Sequence, residues 1–168
     1  NSLKFSARYL LSLVNDLLQI NRIEENKVVL ENLTFNLEDE LQMISKSLSY
    51  MAERNMNVIK TFIDPSIPEV LVGDKLRLSQ ILMNLVSNGL KFTQDGEVRI
   101  IVNLERNEKS ICFVNFVVED TGMGIAEKDL GKIFDKFVQI DRKEDDYQGA
   151  GLGLSIVKKL ITLFGSEI

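Results

Sequence analysis

The spacing of apolar residues switches several times between helical and strand-like periods, and an all-helical or all-strand domain cannot accommodate both. Asn36 with Asp39 makes a helix start, after which Leu37, Leu41, Ile44, Leu48 and Met51 recur at helical spacing. Val58 to Ile63 reads as a strand, and Asp64-Pro65 with Pro68 punctuate a loop expected to end near Gly73-Asp74. A long helix is predicted from about Lys75 to Phe92, stopped by Gln94, Asp95 and Gly96. Glu97 to Arg106 alternates, Asn107 to Ser110 is a turn, and Ile111 to Glu119 is apolar on both faces, which predicts a hairpin whose second strand is central in its sheet. Val28 to Phe35 is strand-like, Ala126 to Phe134 reads as a short helix, and Leu152 to Phe164 as an amphipathic one. A further strand is expected to begin at Gly165 to Ile168. Helices and antiparallel strands segregate without a βαβ rhythm, so the expected class is α+β, with helices covering one face of a sheet.

Ahead of this region, Leu3, Leu10 and Leu17 fall seven apart, Leu13 and Ile20 interleave with them, and Ala7, Leu11, Val14 and Leu18 form an adjacent stripe. A helix apolar over so wide an arc suits a bundle of several helices better than a two-stranded seam. Docking of that helix on the following domain is the alternative. The polar segment Arg22 to Lys27 separates it from the rest.

Composition narrows the chemistry. Lys and Arg total 20 against 25 Asp and Glu, so the net charge of −5 gives no broad attraction for nucleic acid or an anionic membrane, and an anionic ligand needs a local site. The absence of histidine removes the catalytic imidazole and the commonest metal ligand, and with Cys112 the sole cysteine a zinc site is not expected. One cysteine allows no internal disulfide, which fits a reducing, cytoplasmic setting. No apolar run approaches the roughly 20 residues needed to span a bilayer, and the opening NSLKFSARYL is not a signal peptide.

Three clusters carry chemistry. In Q80-I-L-M-N-L-V-S-N-G-L-K-F-T93, Asn84, Asn88 and Lys91 share one helical face, which can offer neutral oxygens to Mg²⁺ and a cation to phosphate; an ordinary solvated face has the same spacing. D120-T-G-M-G-I125 follows the apolar strand, where an acid can accept from an exocyclic amine and glycines let backbone approach a flat ring; a simple glycine turn is the alternative. G149-A-G-L-G-L154 opens the last helix, whose exposed N–H groups and dipole favour phosphate; it can also merely cap that helix. It is neither a Walker A sequence nor a dinucleotide fingerprint.

Taken in order, the asparagine helix, DTGMGI, Phe134 and Phe137 in IFDKFVQ, and GAGLGL resemble the nucleotide-binding boxes of sensor histidine kinases, over roughly Thr34 to Ile168. The opening segment is similar to the second helix of that family's dimerisation stem. The resemblance implies a two-layer fold, a mixed and mostly antiparallel sheet covered by helices and preceded by the stem helix. It implies a division into residues 1–30, stem helix and linker, and 31–168, the ATP-binding domain, with closing strands expected beyond Ile168. It further implies ATP and Mg²⁺ as ligands, with Asn88 on the metal, Asn84 beside the metal or its phosphates, and Lys91 on phosphate. Asp120 is then the reader of the adenine amine, Gly122 and Gly124 shape the base pocket, and Phe134 and Phe137 anchor a lid over Val138 to Gln148. Gly149, Gly151 and Gly153, with Leu154 closing the run, wrap the phosphates, and Arg142 and Lys143 are candidates for a lid cation.

Ala150 and Gly89 depart from the family pattern, which often has a small hydroxyl residue and alanine there, and Ser166 replaces a second glycine. No catalytic residue is assigned within the chain, because the family's phosphoacceptor histidine and its acidic neighbour are absent; the acceptor is expected upstream. The implied partners are a second copy through the stem and a response regulator or receiver domain, with no nucleic acid and no membrane contact by this segment, whatever anchors the parent. A hydrolytic ATPase resembling gyrase or the mismatch-repair proteins is the first rival. It expects a glutamate where Asn84 stands, and an amide is no general base. A non-catalytic interaction module is the second rival.

Overall fold

The computed structural model describes residues 2–25, 27–139 and 151–168. They form two compact units, Glu31–Gly124 and a second composed of Asn1–Leu30 with Ile125–Ile168.

In the first unit the helices begin where polar caps meet apolar periodicity. Asn36 caps α2 (Leu37–Ser47), its side-chain oxygen accepting from the Asp39 N–H at 3.0 Å. Asp74 does the same for α4 (Lys75–Phe92), accepting from the Arg77 N–H at 2.9 Å, while its other oxygen takes the Glu31 N–H at 3.1 Å. The helix expected to run on to Met51 is interrupted at Leu48, whose non-helical ψ separates α2 from α3 (Ser49–Arg54). Leu48 still reaches the core, so burial continues across the break.

Two sheets complete this unit. β1 (Leu33–Asn36) pairs antiparallel with β3 (Val70–Gly73), so the strand-like run from Val28 contracts to its last residues and the predicted loop before Asp74 contains a strand. The second sheet has the order β2-β4-β5, with β2 (Val58–Ile63) parallel to β4 (Glu97–Glu108) and β4 antiparallel to β5 (Ile111–Asp120). Two expectations change here. The parallel β2–β4 pair is bridged through α4, a β-α-β crossover that spacing alone did not show. Among the described residues β4, not β5, is central, because β2 returns to pair with it.

Val98, Ile100 and Val102 of β4 are fully buried on the face that meets Leu82, Val86 and Leu90 of α4 and Leu37, Leu41 and Ile44 of α2. Each such side chain contributes roughly 1.5–3 kcal/mol on leaving water. Val114, Phe116 and Val118 of β5 extend the same face. The expected class, α+β with helices on one face of a mixed sheet, is what the chain adopts.

In the second unit α1 (Ser2–Glu24) packs along α6 (Gly153–Leu163). Ile20 is buried, as are Leu152, Ile156, Val157 and Leu160, whereas Leu10, Leu11, Val14 and Leu18 of α1 are exposed. Helix α5 covers only Glu127–Leu130, shorter than expected, since Gly131 follows directly. No strand starts at Gly165. Instead its positive φ of 68° lets its N–H reach the Thr162 carbonyl at 2.9 Å and the Ser166 N–H reach that of Ile161 at 3.1 Å, a Schellman closure of α6. Ser166 serves there without needing a left-handed backbone, so the missing second glycine costs this closure nothing.

Candidate functional site

Helix α4 presents Asn84, Asn88 and Lys91, all half-buried. The Asn84 side-chain N–H donates to the Gln80 carbonyl at 3.1 Å, which turns its carbonyl oxygen away from its own helix and leaves it as an acceptor. Among the described residues nothing bonds the Asn88 amide. Lys91 lies over the Phe92 ring, 4.9 Å from its centroid.

At Gly89, the residue after Asn88, α4 lies close against the sheet. A Cβ there would meet both Val98 methyls at 3.2 Å and the Asp120 Cβ at 3.4 Å. Glycine in place of the family's usual alanine therefore relieves a tight crossing and brings the asparagine helix against the strand end that carries Asp120.

Asp120 lies on the same side of β5 as Val114, Phe116 and Val118, facing α4. Its Oδ1 accepts the Gly122 N–H at 2.9 Å and the Thr93 hydroxyl at 3.4 Å. Among the described residues no donor reaches Oδ2. The tight turn after Asp120 requires glycine at 122, since a Cβ would fall 2.4 Å from the Phe92 carbonyl oxygen and 2.7 Å from Asp120 Oδ1. Gly124 takes a φ of 69° in open space. A hollow of about 320 Å³ is lined by Glu97, Arg99 and Glu119, which occupy the opposite face of the sheet, and by Asp120 and Thr121. Its lining is charged and polar, with no apolar side chain to stack on a flat ring, whereas Asn84, Asn88 and Lys91 lie on α4.

The second unit holds the other predicted residues. Phe134 lies under the Lys158 ammonium, 5.8 Å from the ring centroid. Phe137 adopts a φ of 63°, a conformation rare for a bulky residue, and its N–H donates to the Gly151 carbonyl at 3.0 Å. Gly151 has a φ of 68°, and a Cβ on it would lie 2.9 Å from the Val138 carbonyl oxygen. Phe137 and Gly151 are thus joined backbone to backbone, an association that sequence order alone did not reveal. Helix α6 starts at Gly153, followed by Leu154, and among the described residues no side chain caps it, a helix start of the kind that suits an anion. Arg142, Lys143, Gly149 and Ala150, with most of the predicted lid, lie outside the described residues.

Sequence reading missed four contributors. Thr93 closes the asparagine run but carried no signal of its own. Asn57, buried, donates to the Leu90 and Thr93 carbonyls at 3.1 and 2.7 Å and accepts the Gly96 N–H at 3.0 Å, which ties the end of α4 to the start of β4. Lys136 and Lys159 reach Glu24 at the end of α1 at 2.7 and 2.8 Å. Their hydrogen bonds bring the Glu24 carboxyl down to about 2.

Comparison with known proteins bears on all of this. Residues 73–168 match the family model of histidine kinase-, DNA gyrase B- and HSP90-like ATPases. Hybrid signal transduction histidine kinase B of Dictyostelium discoideum is 38% identical over 173 residues, covering 100% of this chain and 9% of the relative. Signal transduction histidine-protein kinase BarA of Escherichia coli K12 is 33% identical over 169 residues, covering 100% of this chain and 18% of the relative. This chain therefore spans less than a fifth of either relative. The crystal structure of full-length ShkA in complex with AMPPNP superposes with a TM-score of 0.83 at 33% identity, over 98% of this chain and 33% of that one. The catalytic domain of histidine kinase ThkA, free of nucleotide, gives 0.62 at 26% identity, over 78% and 80%. With more than half its length under the family model, the chain belongs to the histidine kinase-, DNA gyrase B- and HSP90-like ATPases, and within them it is an ATP-binding domain of the sensor histidine kinase type.

Proposed function

We propose that this chain binds ATP with Mg²⁺ and donates the γ-phosphoryl to a histidine outside it, in a two-component relay. The observation that carries the reading is Asp120, held through one oxygen by Gly122 and Thr93 with the other open to an amine donor. The ligands fit the residues present. Asn88, with no bond to its amide among the described residues, and Asn84, its N–H turned back on the helix, offer neutral oxygens to a hard cation, and Lys91 offers charge to phosphate. The uncapped start of α6 at Gly153 and Leu154, with Gly151 ahead of it, suits the phosphates, and Gly149, Arg142 and Lys143 extend that assignment. Bound Mg²⁺ neutralises charge on the phosphates; positioning and charge balance are the main demands of phosphoryl transfer.

Asn84 also speaks against the hydrolytic rival, because its amide can neither take a proton from water nor leave the Gln80 carbonyl without loss. We assign residues 1–30 to the stem and linker and 31–168 to the nucleotide domain. The exposed Leu10, Leu11, Val14 and Leu18 support dimerisation through the stem. The hybrid kinase among the relatives supports a receiver domain or response regulator as the next partner. A cytoplasmic location supplies ATP and keeps Cys112 a free thiol.

Titration calorimetry with ATP, with and without Mg²⁺, tests the site. Binding is expected to weaken at least tenfold in Asp120→Asn, and Asn88→Ala is expected to abolish the dependence on Mg²⁺. Unchanged affinity in Asp120→Asn sinks the assignment.

A further inference from the structure

We infer that Thr93 is the positioning residue that fixes the Asp120 carboxylate, and that it sets selectivity for a purine bearing an exocyclic amine; the inference rests on the nucleotide reading above. A carboxylate at an exposed strand end ordinarily turns about its own bonds, and a single donor leaves its plane free. Here two donors converge on Oδ1, the Gly122 N–H at 2.9 Å and the Thr93 hydroxyl at 3.4 Å. With Oδ1 engaged twice, Oδ2 is the oxygen presented to the ligand. An exocyclic amine can donate to it, whereas a carbonyl at the same ring position brings two acceptors together.

Thr93 is built to hold this direction. It is 2% exposed, so its hydroxyl loses water on folding and requires an acceptor, which Asp120 supplies. Its branched side chain is stiff at χ1, and two glycines close around it. A Cβ on Gly96 would fall 2.7 Å from its methyl, and one on Gly122 2.8 Å from its hydroxyl. Its backbone is pinned as well, since the buried Asn57 donates to its carbonyl at 2.7 Å. The direction of the Asp120 oxygens is therefore carried back, through one hydroxyl, to a rigid junction between α4 and β4.

The test compares ATP·Mg²⁺ with ITP·Mg²⁺, which replaces the 6-amine by an oxygen, in equilibrium binding to the full-length protein. Thr93→Val is expected to weaken ATP about five- to tenfold and leave ITP within about twofold, so that the preference narrows. Thr93→Ser is expected to restore it. A merely structural role would lower both nucleotides together. An unchanged ATP-to-ITP ratio in Thr93→Val, whether affinity holds or falls overall, overturns the inference, and so does failure of serine to rescue. If Thr93→Val does not fold, Thr93→Ala against Thr93→Ser carries the same comparison. Asp120→Asn separates the two levels. Loss of the preference in that variant alone leaves the base reading standing and removes Thr93, while a ratio unmoved by Asp120→Asn removes the base reading itself.

Discussion

Gly122 illustrates how much of the site depends on an atom that is not there. A methyl at this position would press on the Phe92 carbonyl, Asp120 Oδ1 and Thr93 Oγ1, at 2.4, 2.7 and 2.8 Å. The first is backbone, and the other two belong to short side chains hydrogen-bonded to each other. Gly122→Ala should therefore open the turn, cost about 1–3 kcal/mol of stability, and reduce ATP affinity more than tenfold, read by urea unfolding and calorimetry on the same sample. Gly124, whose absent Cβ would meet open space, offers the internal control: Gly124→Ala should cost only the strain of its positive φ, about 1–2 kcal/mol. The DxGxG pattern already pointed to close backbone approach, but toward a ligand. What it could not reveal is that Gly122 first accommodates Thr93 and Asp120, residues 27 apart in sequence that meet only because α4 crosses from one parallel strand to the next.

At the scale of elements, α4 could be read from the sequence almost to the residue because both of its ends carry chemical punctuation, Asp74 as cap and Gln94 to Gly96 as stop. β3 could not, since it is four residues long, follows a proline-marked loop and exists only by pairing with β1. The end of α4 also depends on Asn57, which no periodicity marks. Asn57→Leu leaves the Thr93 carbonyl and the Gly96 N–H unpaired in a buried place, while the Leu90 carbonyl keeps the Asn55 side chain at 2.8 Å. The expected loss is about 2–4 kcal/mol, a large share of a typical domain's stability, measurable as a lowered urea midpoint at unchanged slope. In the other unit the end of α1 is clasped by Lys136 and Lys159 through Glu24. Because folding lowers this carboxyl from an ordinary 4.5 to about 2, its contribution is complete above the ordinary value and disappears as pH falls through the folded one. Wild type and Glu24→Gln should therefore differ in stability near neutrality and converge in acid, and added salt should shrink the difference because the pair is exposed. Curves that stay apart below pH of about 2 would show that glutamine disturbs something other than this ion pair.

For the whole molecule, the most consequential fact of composition is the absence of histidine among 168 residues. A protein of this family that transfers phosphate to histidine must then act on an acceptor beyond this chain, and its own residues need only hold and orient the nucleotide. Incubated alone with γ-labelled ATP and Mg²⁺, the chain should acquire no label. Mixed with a separate stem fragment that bears a histidine, it should transfer label to that fragment: the bond from the γ-phosphorus to the bridging oxygen of ADP breaks, a bond from phosphorus to an imidazole nitrogen forms, and the imidazole proton leaves to solvent. The product should be lost in acid and survive in base, as a phosphorus–nitrogen bond does and a phosphoserine does not. If both act on the nucleotide as proposed, Asn88→Ala and Asp120→Asn should each lower the rate at least tenfold while the fold persists, because neither belongs to the core cluster of the unit. Release of inorganic phosphate without the fragment, at a rate matching transfer and abolished by Asn84→Ala, would instead make water the acceptor and return the chain to the hydrolytic branch of its family.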